Sequence, residues 1–209
     1  MTARRAALAL SFCFGLVACG ARQPEAATAP EVEAAAINED AVNGATSTGD
    51  SDAAVEAAVA FVSSGQQMLD TPATELGPLV ESMWSNESAD SALEATLDQL
   101  AALRERLGAG SGPTRFRQAV LAVRVDSASA ARVVVSVWWV GVLSRAESVT
   151  PQAQWSTSTV TMVTENGEWK VDAETTDPGP LPDHSSDGEP ITHAELERRL
   201  TGFVDWGGR

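Results

Sequence analysis

Ala131-Arg132-Val133-Val134-Val135-Ser136-Val137-Trp138-Trp139-Val140-Gly141-Val142-Leu143 is the most apolar stretch beyond the N-terminal segment, and its reading decides the fold. β-Branched and aromatic residues dominate it, and apolar side chains stand at odd and even positions alike. That pattern predicts a central strand covered on both faces. Neighbouring residues on a strand point to opposite sides, so Trp138 and Trp139 must part, one to each face. On the N-terminal side, Arg115 to Val125 reads as a strand with Ala119, Leu121, Val123 and Val125 on one face, and Asp126 to Ala130 as a turn. On the C-terminal side, Ala153 to Thr164 sets Trp155, Thr157, Thr159 and Thr161 against Ser156, Val160 and Met162. Asn166-Gly167 predicts a two-residue hairpin turn. A fourth strand follows over Glu168 to Ala173, with Trp169 and Val171 opposed to Lys170 and Asp172. Asp177-Pro178-Gly179-Pro180-Leu181-Pro182 should end the sheet.

Upstream of the hinge-like Gly108-Ala109-Gly110-Ser111-Gly112-Pro113 the period changes to helical. Val55, Val59, Val62 and Leu69 recur at helical spacing after Ser51 or Asp52 as a cap. Leu76, Leu79, Val80, Met83 and Trp84 mark a second helix, which Gly77-Pro78 should break. Ser91-Ala92-Leu93-Glu94 reads as a capping box for a third, with Leu93, Leu97, Leu100 and Leu107 as its stripe and Gly108 as its stop. Past the Pro-rich segment, Thr192 to Leu200 predicts a short helix. Phe203 and Trp206 should pack back on the domain.

The expected fold class is therefore α+β, with three N-terminal helices packed on a curved, mainly antiparallel four-stranded sheet. This order resembles the cone-shaped domain of nuclear-transport-factor-like and ketosteroid-isomerase-like proteins. The run Trp155-Ser156-Thr157-Ser158-Thr159-Val160, with Asn166-Gly167-Glu168-Trp169-Lys170-Val171 and Pro178-Gly179-Pro180-Leu181-Pro182, is similar to extracytoplasmic domains of small actinobacterial envelope proteins. Among those it resembles the cone-like scaffold subunits of conjugation and type IV secretion machines. The resemblance spans about Ser51 to Pro182 and implies an accessory role in an envelope assembly. Such subunits usually begin with a transmembrane helix, and here the present chain departs from them.

It begins with MTARRAALALSFCFGLVACG. Arg4 and Arg5 precede an apolar run from Ala6 to Val17, which is shorter than the roughly 20 residues a bilayer-spanning helix needs. Leu16-Val17-Ala18-Cys19 then looks like a bacterial lipobox. The resemblance implies that residues 1–18 are a signal peptide, that cleavage falls before Cys19, and that the Cys19 thiol carries a diacylglyceryl anchor. The chain has two Cys, and Cys13 lies in the segment to be discarded, so no disulfide is expected. Residues 19–50 hold the lipidated Cys and a tether of low hydrophobicity, with nine Ala, six acids and one Arg between 20 and 50. As a flexible coil it would reach about 30 Å. The expected organisation is thus signal peptide at 1–18, tether at 19–50, cone-like domain at 51–182, and an acidic loop with a short helix at 183–209. The expected location is the outer side of the cell membrane, held by lipid.

The 209 residues carry a net charge of −15, which excludes a simple electrostatic binder of nucleic acid. Apolar residues make up 44 %, too many for a wholly disordered chain. Tyr is absent, so an isomerase-type site has no tyrosine oxyanion donor. The acids expected on strand faces are Asp126 and Asp172, both near strand ends. His184 and His193 lie in the tail. Asp183, His184 and Asp187 form a weak metal-binding pattern, better read as a solvated loop, so neither a metal nor another cofactor is expected. The chain is read as a non-enzyme.

Two groups remain for binding. Arg115, Arg117, Arg124 and Arg132 all lie on the first two strands. They suit an acidic partner or anionic ligand, or else simply solvate strand ends and protect an edge. Arg115 and Arg117 share a face, and a bulge is needed to bring Arg124 to it. Trp138, Trp139 and Trp155 either pack in the core or serve at an interface. The leading expectation is a non-catalytic lipoprotein with a protein partner, using Arg115, Arg117, Trp138, Trp139 and Trp155. The alternative is a module that holds a small hydrophobic ligand in its cone.

Overall fold

The computed structural model describes residues 48–108, 112–146, 149–181 and 192–207. The lipobox with Cys19, most of the tether, and the acidic loop with His184 lie outside the described residues. Four N-terminal α-helices, with a 3-10 turn at Ala73–Glu75 between the second and third, precede the sheet: α1 (Thr48–Val62), α2 (Gly65–Asp70), α3 (Leu76–Met83) and α4 (Ala89–Leu107). The strands follow as β1 (Thr114–Ala128), β2 (Arg132–Arg145), β3 (Val149–Glu165) and β4 (Glu168–Pro178), then α5 (His193–Arg199) and the two-residue β5 (Val204–Asp205). They form one antiparallel sheet in the order β4-β3-β2-β1-β5. The expected α+β class is the observed one, with one helix and one strand more than expected.

The first predicted helix is two. After Val62 the chain turns at Ser64, whose hydroxyl donates to the Phe61 carbonyl at 2.7 Å. Gly65 then opens α2 against the unpaired edge of β1, donating its N–H to Gln118 Oε1 at 3.2 Å. Gln66 Oε1 accepts the Phe116 N–H at 2.6 Å. α2 thus covers the β1 edge near its start and pairs the Phe116 N–H there. Gly77-Pro78 does not break α3, because Pro78 sits in its first turn, where backbone N–H groups have no helical partner. The Ser91 capping box does not form. α4 begins earlier, at Ala89, and Ser91 Oγ bonds the Ser88 carbonyl instead. Thr192 does cap α5, accepting from the Glu195 N–H at 3.2 Å.

The core lies between the helices and one face of the sheet. Val133, Val135, Val137, Val160, Met162 and Val171 are fully or almost fully buried there beneath Ala54, Ala58, Val80 and Trp84. Phe61 and Trp84 meet edge to face at 5.5 Å. β2 is central, as expected, but among the described residues only one face is covered by helices. On the other, Val134, Trp138, Val140 and Val142 are half-buried. β1 also departs from strict alternation. A bulge at Leu121 flips its parity, so Ala119 pairs with Val140 on the open face while Val123 pairs with Val137 on the core side. The chain returns as expected at its end: Trp206 donates its backbone N–H to the Leu121 carbonyl at 2.9 Å and packs against the core.

Candidate functional site

The sheet's two faces and one helix–strand corner each carry a distinct chemistry. On the open face, the register places Arg115 opposite Ser144, Arg117 opposite Val142, and Trp138 next to Ala122 and Thr157. Trp155 lies across from Val140, and its ring sits 5.6 Å from that of Trp138 with a 31° tilt. Four of the five residues singled out for partner contact therefore share one surface. The Trp138 N–H is anchored by the Pro180 carbonyl at 3.1 Å, and Thr157 Oγ1 donates to the Gly179 carbonyl at 2.9 Å. The Gly-Pro segment after β4 is thus a clasp along this face. Arg115 and Arg117 are exposed and form no ion pair among the described residues. The bulge at Leu121 brings Arg124 to the same face, opposite Ser136. There Arg124 is engaged, with Asp126 at 2.5 Å and the Phe203 ring 4.7 Å from its guanidinium carbon.

Trp139 departs from the set. It faces the core, packs edge to face on Phe116 at 6.4 Å, and donates its N–H to Ser158 Oγ at 3.0 Å. It therefore cannot contact a partner on the open face.

The Ser158 contact opens onto a buried polar row that the sequence reading missed. Ser158 Oγ lies 2.6 Å from Thr176 Oγ1, which donates to Glu174 Oε1. Glu174 is 3 % exposed, and its Oε2 has no partner among the described residues. Burial pushes its carboxyl up from the ordinary value, against the lowering effect of the two hydroxyls. Glu174 escaped notice because the fourth strand was expected to end at Ala173, whereas β4 continues to Pro178. A bulge at Asp172 then turns Glu174 to the core side, opposite Val160. Asp126 and Asp172, the acids considered from sequence, are engaged structurally. Asp172 pairs with Arg132 at 3.0 Å, and Asp126 accepts from Ser136 Oγ at 2.6 Å.

At the corner between α2, α4 and β1 lies a cavity of about 340 Å³. Met68, Leu100, Leu103 and Phe116 form its floor, all buried, and the exposed Ala102 and Arg106 mark its mouth. No group of His, Cys and carboxylates among the described residues can hold a metal ion, and no described helix is long and apolar enough to cross a membrane.

No protein-family model matches the chain, and no curated protein matches it in sequence. Among solved structures, it is similar to the beta subunit of the benzoate 1,2-dioxygenase from Burkholderia mallei. The identity is 17 % and the TM-score 0.34, covering 42 % of this chain and 58 % of the subunit. It is also similar to the intermembrane space region of chloroplast protein ARC6, with 17 % identity and a TM-score of 0.36, over 59 % of this chain and 96 % of that one. At these scores the likenesses carry no argument about function.

Proposed function

We propose that the protein is a non-catalytic, lipid-anchored accessory subunit of an envelope assembly, tethered through Cys19 and docking an acidic protein partner on the open face of its cone-like domain. The observation that carries this reading is the gathering of Arg115, Arg117, Trp138 and Trp155 on the sheet face opposite the described helices α1–α4. Half-buried indoles flanked by exposed guanidinium groups have the composition of interface hot spots. The charge is complementary to an acidic surface: two cations with no ion pair among the described residues stand on one face of a chain whose net charge is −15. The clasp at Gly179 and Pro180 fixes the Trp138 ring, so little ordering is left to the moment of binding.

The test is photo-cross-linking in intact cells. A photo-reactive residue replaces the exposed Ala119, between the two Arg and the Trp pair, and in a control it replaces the exposed Asp98 on α4. The expected result is capture of an extracytoplasmic protein from position 119 alone, lost when Arg115 and Arg117 are both changed to Glu. Equal capture from both positions, capture insensitive to those changes, or capture of a second copy alone would overturn the reading. Amine-reactive reagents are unsuited, because Lys170 is the only Lys and its Nζ is bound to the Ser82 carbonyl and to Glu168.

A further inference from the structure

The corner cavity lies on the opposite side of the sheet from the proposed docking face and does not depend on it. α4 packs chiefly on α3 and stands away from β1, and the space between is floored by Met68, Leu100, Leu103 and the Phe116 ring. Its volume of about 340 Å³ falls within the roughly 300–1,000 Å³ of small-molecule sites, which are likewise mostly apolar with a few polar groups. A polar ligand would leave its groups unpaired against Met68, Leu103 and Phe116. Among the described residues of the lining Arg106 is the charged one, and it is exposed at the mouth. Apolar depth with a cation at the rim is the complement of an amphiphile, not of a wholly apolar molecule.

We propose that this pocket binds a single apolar chain ending in an anionic group, the chain lying against Met68, Leu103 and Phe116 and the anion meeting Arg106. The two halves of the ligand are read by different residues, so they can be tested apart.

Membranes containing the full chain are incubated with a diazirine-bearing medium-chain fatty acid, or with the fatty alcohol of the same chain, then irradiated. Adducts are mapped by mass spectrometry. The acid is expected to label peptides of α2 and α4 more strongly than the alcohol does. Leu103→Trp, which fills the floor, should lower that labelling about tenfold. Ala102→Trp tests the same point from the exposed mouth, where a bulky side chain leaves the core untouched. Arg106→Gln should bring the acid down to the level of the alcohol while alcohol labelling persists. Adducts spread over the open sheet face, or labelling by the acid that survives Ala102→Trp, would overturn the proposal. Loss of partner capture at position 119 would not bear on it, so the two readings fail separately.

Discussion

The rings of Trp138 and Trp155 lie 5.6 Å apart at 31°, on the sheet face opposite the helices, and the first is tied down by a hydrogen bond from its indole N–H to the Pro180 carbonyl. The pair stacks across neighbouring strands, where aromatic contacts contribute about 0.5–1.5 kcal/mol beyond area burial. Trp155→Ala should therefore cost about 1 kcal/mol from the lost ring pair, on top of the apolar area it exposes. Trp138→Ala should cost more, since it also leaves the Pro180 carbonyl without its donor, a further loss of about 1 kcal/mol. Urea denaturation of the two single variants and the double variant checks this. The double variant should be less destabilised than the sum, by the coupling energy of the pair.

Glu174 makes stability depend on pH. Its native carboxyl is raised above the ordinary 4.5 because burial penalises the anion. The native state then keeps a proton that the unfolded chain has already released. Stability from this group is fully present below the unfolded value and is lost as pH rises through the raised native value. Glu174→Gln removes that decline. The variant should be more stable than the parent near neutral pH, with the difference closing as pH falls toward the ordinary carboxyl value. Thermal melts across that range decide it, and a gain that is constant with pH would refute the assignment.

The fold was legible where alternation ran undisturbed. β3, with Trp155, Thr157, Thr159 and Thr161 against Ser156, Val160 and Met162, has the sides the sequence implied, as does the split of Trp138 from Trp139. Bulges defeat such reading, because one extra residue reverses every later side chain. The bulge at Leu121 misplaced Ala119 and joined Arg124 to the open face, as the arginine spacing required. The bulge at Asp172 hid Glu174. The corner cavity was illegible for another reason: it depends on how far α4 stands from β1, a tertiary distance that no local pattern encodes.

The proposed anchor gives a prediction of location. Cys19→Ser removes the only thiol at the lipobox-like position. Intact-mass analysis should then show a chain without a diacylglyceryl group and with residues 1–18 retained. A Cys19→Ser chain that is still cut before position 19 would refute the lipobox assignment. The variant's fold should be unchanged, since position 19 lies well before α1.

Gly65 tests how tightly α2 is seated on β1. A Cβ built there would lie 2.4 Å from Gln118 Oε1 and 2.7 Å from the Phe116 ring. The Gln118 amide can swing aside, but only by giving up the bond that satisfies the Gly65 N–H. The Phe116 ring cannot move freely, since it is wedged edge to face on Trp139. Gly65→Ala should thus act as overpacking, costing about 1–3 kcal/mol, even though Ala favours a helix. By contrast, Gly77 on α3 has only the Leu93 side chain within reach, at 3.8 Å, so Gly77→Ala should be neutral or stabilising. Chemical denaturation of both variants provides the comparison. Because Phe116 also floors the corner cavity, Gly65→Ala should weaken labelling by the diazirine fatty acid while Gly77→Ala leaves it intact.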